Sequence, residues 1–190
     1  EEHLHAHEQY ATAAACYRRA QAMEPKVLRW PYYLAQVEAQ QGNGGAAEVA
    51  LRRAVDIDRK FAPAQLRLAE LALEGGRLEE ARGLYDKLLQ EDGTSAAAHY
   101  GMGRVRATEG HAAGAADWLR KACVLFPTYG AAHFALAQNY RKLGAPDKAK
   151  EHLALYEKYK LVAPPSGDTL LAEVRALSAY MRRDFEDRMV

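Results

Sequence analysis

Histidine and cysteine are the residues of this 190-residue chain best equipped for chemistry, and their spacing argues for little of it. His3, His5 and His7 form HLHAH. On a helix alternate residues point roughly 200° apart, so three such rings cannot meet on one ion unless the terminus unwinds, and adventitious metal binding is the expectation. Cys16 and Cys123 belong to no CxxC or CxxCH motif, which removes thioredoxin chemistry and haem attachment. Cys123 reads as a small apolar packing position in a helix, and with His133 it makes no dyad that spacing can establish. His99 and His133 stand 34 residues apart in matching surroundings, His111 falls in an exposed turn, and His152 sits in a helix. There is no GxSxG, no HExxH and no glycine-rich phosphate loop. The expectation is a protein that is not an enzyme, with no catalytic residue, no metal ligand and no cofactor.

The elements that carry these residues follow from a stretch that recurs. In 62–95, Pro63 suits a first helical turn, and Leu66, Leu68, Ala69, Leu71 and Ala72 make a helical stripe. Gly75-Gly76 stops that helix, and a second runs from about Leu78 to Glu91 with Ala81, Leu84, Tyr85, Leu88 and Leu89 on one face. A shift of 34 residues restores the pattern. Leu34, Leu68, Met102 and Leu136 are large, and Ala35, Ala69, Gly103 and Ala137 are small. Gly42, Gly76, Gly110 and Gly144 break the pairs; Ala47, Ala81, Ala115 and Ala149 are small again; Leu51, Tyr85, Leu119 and Leu153 are large. Small columns let antiparallel helices approach closely.

These columns resemble the tetratricopeptide repeat, in period and in the alternation of small and large residues. The wording of the repeats is also similar to that of bacterial multi-repeat proteins. The resemblance implies an all-α, right-handed superhelical solenoid of antiparallel helix pairs over 1–161. It divides into a truncated first repeat, 1–27, and repeats 28–61, 62–95, 96–129 and 130–161. In that first copy Glu1 to His7 reads as the tail of one helix and Tyr10 to Met23 as the next. Asn43-Gly44-Gly45 reads as a loose, mobile break. A proline-rich linker, 162–167, leads to a terminal amphipathic helix, 168–190, with Asp168 as N-cap and Leu170, Val174, Leu177, Met181 and Phe185 on one face. That helix is expected to cap the open end of the array, with the start of a further repeat as the alternative, or to dock on the first repeat of a second copy. Tyr156 replaces the small residue usual late in a second helix. Cys16 and Cys123 fall three repeats apart and are expected to stay unpaired.

The family's first helices line a concave face, so the resemblance implies where a ligand lies. Tyr32, Leu66, Tyr100 and Phe134 form one projecting column; Gln36, Glu70, Arg104 and Gln138 follow one turn on, and Arg141 extends the surface. Rings with amides and charges suit an extended peptide or a partner helix. The expected function is a non-catalytic protein-interaction scaffold or adaptor binding a protein or peptide partner. Self-association end to end through the terminal repeats, and a glycan in the groove, are the alternatives. Less functional readings also stand: the rings pack on neighbouring helices, and Glu70 pairs with Arg104. The two-carboxylate clamp of chaperone adaptors is not matched, since Gln36 and Gln138 are not asparagine and Glu70 has the wrong sign.

With 26 basic and 25 acidic residues the net charge is +1, which offers no general attraction to nucleic acid or anionic membrane. No apolar run approaches the roughly 20 residues that span a bilayer. Glu1 is neither an initiator methionine nor the start of a signal pattern, so residues upstream are expected and compartment stays open.

Overall fold

The computed structural model describes residues 2–165 and 167–174, with side chains from residue 9 onward. Helices account for all of its regular structure, and no strand occurs among the described residues. The chain divides into two compact units: residues up to Ile57 together with those described beyond 166, and Asp58–Pro165.

The first unit contains α1 (Glu2–Met23), α2 (Arg29–Gln40) and α3 (Gly44–Ile57). α1 is one continuous helix of 22 residues, not the tail of one helix followed by another. Nothing between Glu2 and Met23 is glycine or proline, so no residue there breaks the hydrogen-bond ladder. Ala14, Tyr32, Leu34, Ala35, Ala47, Leu51 and Ala54 are buried and form the core of this unit. Glu38 is also buried, only 2% exposed, and is satisfied by the Arg18 guanidinium and by Asn43 Nδ2 at 2.9 Å. That Asn43 contact closes the turn expected to be loose, and Gly44 and Gly45 already belong to α3.

The terminal segment joins this unit. Asp168 caps a helix that begins at residue 169, its Oδ1 accepting the Leu171 N–H at 2.9 Å. The Tyr32 hydroxyl donates to the Asp168 carboxylate, and the Tyr33 hydroxyl donates to the Leu170 carbonyl at 3.2 Å. Its first turn therefore lies on α2 of its own chain, where a cap on the open end of the array was one expectation. The rest of the helix expected over 168–190, with Leu177, Met181 and Phe185, lies outside the described residues.

The second unit stacks three pairs: α4 (Ala62–Glu74) with α5 (Leu78–Glu91), α6 (Ala96–Thr108) with α7 (Ala112–Leu125), and α8 (Gly130–Lys142) with α9 (Pro146–Tyr159). Ala69, Ala72, Ala81, Tyr85, Ala98, Met102 and Val105 form one core cluster, and Ala116, Leu119, Ala122, Cys123, Tyr129, Ala132 and Leu136 contribute to a second. Two glycines of α6 mark close helix approach, Gly103 within a small column and Gly101 outside it. A Cβ on Gly101 would meet the Tyr85 ring at 2.2 Å, and one on Gly103 would meet Leu119 Cγ at 2.6 Å.

The turns repeat in both units. Gly42, Gly76, Gly110 and Gly144 have φ of 77°, 73°, 84° and 69°. The next residue's N–H bonds the carbonyl five positions earlier, as Arg77 does to Ala72 at 2.8 Å. This is the left-handed helix ending that glycine adopts without steric cost.

Candidate functional site

The first helices of the second unit carry most of the expected ligand face. On α4, Leu66 is half-buried against the core cluster, and Glu70 is half-buried one turn further on. Glu70 forms an ion pair with Arg67 at 3.5 Å on its own helix, not with Arg104 as expected. Burial pushes its carboxyl above the ordinary carboxylate range, against the pull of Arg67 and Arg104.

On α6, Tyr100 is half-buried with its ring 5.0 Å from that of Tyr129, and Arg104 lies over the Tyr100 ring at 5.6 Å. Burial raises the Tyr100 phenol's pKa. On α8, Phe134 stays 41% exposed while its ring sits 4.9 Å from Tyr156. Tyr156, the unusual large residue late in α9, thus supports a ring of the expected column. Gln138 is half-buried and Arg141 exposed.

Two expected residues belong to the first unit. Gln36 is half-buried on α2. Tyr32 is 1% exposed and engaged by Asp168, so it is not an open anchor. The chain's own terminal segment occupies the place that spacing reserved for a ligand.

Pattern along the sequence missed a second cluster. Cys123 on α7, His133 on α8 and His152 on α9 bring their ligand atoms within 4.8 Å of one another. Cys123 Sγ is 3.5 Å from His133 Nδ1, and His133 Nδ1 is 2.9 Å from His152 Nδ1. Cys123 packs in the second core cluster, as expected of a small apolar position, and also faces these two imidazoles. Both cysteines are free, Cys16 exposed and Cys123 buried. Burial pushes the Cys123 thiol up to about 12; burial, then the neighbouring His133, pushes the His152 imidazole down. The only sequence signal was that Cys123, His133 and His152 fall in consecutive helices. The HLHAH histidines lie in α1, and their side chains are outside those described.

His133 has another task. Its Nε2 is 2.9 Å from the Pro127 carbonyl, six residues back. His99 Nε2 meets the Gly93 carbonyl at 3.0 Å, and Gln65 Nε2 donates to the Arg59 carbonyl, so the column ties each first helix to the loop before it. A shallow pocket of about 420 Å³ beside His99 is lined also by Gly93, Arg120, Lys121, Val124 and Leu125, none of them an expected ligand residue.

Tetratricopeptide repeat profiles match residues 3–60 and 38–105, together spanning more than half of the chain. A comparison with curated protein sequences finds no match. Among solved structures, the fold is similar to a crystal structure of MamA at 18% identity and a TM-score of 0.70, covering 80% of this chain and 88% of that one. It is similar to MamA from Desulfovibrio magneticus at 15% identity and 0.65, covering 82% and 95%. YrrB, described as a tetratricopeptide protein with an unusual peptide-binding site, is similar at 14% and 0.64, covering 89% and 84%. At these identities the likeness is one of fold.

Proposed function

The chain belongs to the tetratricopeptide repeat family, a family of protein-interaction scaffolds, and from that premise we propose that it is a non-catalytic adaptor. It takes a peptide or helical segment of a protein partner on the first-helix face of its second unit. One observation carries the reading. In the first unit the column residue Tyr32 already holds a chain segment, through its bond to Asp168, with Tyr33 holding Leu170 beside it. The equivalent positions in the second unit are Leu66, Tyr100 and Phe134, and Phe134 is 41% exposed.

Chemistry on that face favours a segment with an apolar anchor and a basic side chain. Rings supply contact area at low entropy cost, and Phe134 with Tyr156 offers an aromatic seat. Glu70 is more buried than its 3.5 Å pair with Arg67 compensates, so a cation from a partner would relieve it.

The test is a displayed peptide library panned on the whole protein. Selected peptides should be enriched in apolar residues with lysine or arginine, and Tyr100→Ala or Phe134→Ala should weaken them by about 1–3 kcal/mol. Asp147→Ala, at the exposed start of α9, should leave them unchanged. Binders indifferent to both ring truncations would overturn the reading. Self-association and glycan binding are the competing uses; sedimentation and a glycan array score them with the same variants.

A further inference from the structure

We propose that Cys123, His133 and His152 form a three-ligand site for a divalent transition-metal ion of the zinc class, its fourth position open to water.

The argument starts from one ring. His133 Nε2 lies 2.9 Å from a carbonyl oxygen, that of Pro127, so this nitrogen carries the proton and donates it. In the neutral ring Nδ1 is then a bare lone pair. It faces the two other ligand atoms, 3.5 Å from Cys123 Sγ and 2.9 Å from His152 Nδ1. A histidine whose second nitrogen donates to a backbone carbonyl is the usual arrangement of a metal-bound imidazole, since that bond sets the tautomer and orients the ring.

Two of the three separations can be set against those around an ion, and all three ligand atoms lie within 4.8 Å of one another. With metal–nitrogen bonds of about 2.0–2.1 Å and metal–sulfur bonds of about 2.3 Å, tetrahedral geometry puts N and S about 3.5 Å apart and two N atoms about 3.3 Å apart. The Cys123–His133 distance already matches. The histidine pair needs to open by a few tenths of an ångström; His152, on α9, is half-buried where His133 is buried. Tyr140 stacks on the outer imidazole, with ring centroids 5.6 Å apart at 24°. On binding, the thiol proton passes to solvent and both Nδ1 atoms present lone pairs. Thiolate with imidazole is a donor set for zinc and its neighbours, not for magnesium or calcium.

The preceding repeat is an internal control. One period earlier, the three positions are Leu89, His99 and Trp118. His99 keeps the bond to its loop carbonyl, and its ring lies 5.3 Å from Trp118. The fold therefore needs neither the thiol nor the second imidazole.

Cobalt(II) and zinc titrations of the purified, untagged chain test the proposal. One equivalent of cobalt(II) should give a thiolate-to-metal charge-transfer band and the strong visible bands of a four-coordinate ion, and zinc should displace it. Cys123→Ser should abolish the charge-transfer band. His152→Phe and His133→Gln should each weaken zinc binding by more than about a hundredfold, beyond the roughly 10–100-fold typical of losing an outer-shell partner. Glutamine at 133 retains the loop bond, as Gln65 does, so the variant keeps its fold. Cobalt bound without the charge-transfer band, or zinc affinity unmoved by these variants, places the ion on HLHAH and overturns the proposal. So does the absence of saturable binding.

Discussion

The Tyr32 hydroxyl is hydrogen-bonded to the Asp168 carboxylate across 136 positions of sequence. Asp168 also caps the helix it starts, so one side chain both begins the terminal helix and fastens it to α2. The expected groove ring is thereby a buried anchor for the chain's own end.

Removing that carboxylate should be costly locally. Asp168→Ala should lose about 1 kcal/mol as a cap and further stability from the Tyr32 bond. A double-mutant cycle with Tyr32→Phe, read by melts and by hydrogen exchange of amides 169–174, should show coupling between the two positions. Strictly additive losses would mean that the bond contributes nothing.

Ala81 is fully buried between helices, in a cluster with Ala69, Tyr85 and Met102. Ala81→Leu should destabilise by about 1–3 kcal/mol or more through overpacking, beyond any change on the ligand face. Thermal melts check it, and a variant as stable as the parent would mean the column has slack.

Two glycines should rank differently. A Cβ on Gly130 would meet the Tyr159 carbonyl oxygen at 2.2 Å, which is backbone, while one on Gly101 meets the Tyr85 ring at the same distance. A buried ring can shift by small rotations, whereas α9 must move as a body. Gly130→Ala should therefore lower the melting temperature more than Gly101→Ala.

Glu70 has a pH signature. Burial raises its folded pKa, so the folded chain binds this proton more tightly than the unfolded chain. Its contribution to stability is thus lost as pH rises from the unfolded value, about 4.3, through the higher folded one. Glu70→Gln should match the parent near pH 4 and exceed it at pH 7, by no more than about 1 kcal/mol given solvent screening at a third-exposed side chain. Melts at the two pH values decide it, and an unchanged difference would remove the buried-charge account.

Periodicity along one column was legible because helix-pair packing repeats it: the turn glycines, the small Ala81 position and the ends of α5 all follow from it. Contacts across columns were not. Cys123, His133 and His152 meet through the sideways packing of α7, α8 and α9, which no single register displays. Asp168 meets Tyr32 across 136 positions of sequence, a contact that no repeat register contains. The continuous α1 was a different failure: the repeat template asked for a break that no glycine or proline in residues 2–23 supplies.

The loop-tying column of Gln65, His99 and His133 divides labour within one side chain. One nitrogen belongs to the scaffold, and in histidine the other is surplus to it: His99 Nδ1 is buried with no hydrogen-bond partner among the described residues. A surplus valence at a fixed place in each unit makes the site portable. Writing cysteine at 89 and histidine at 118 would graft the trio one repeat earlier without touching the loop tie, so function in such an array can be moved in modules.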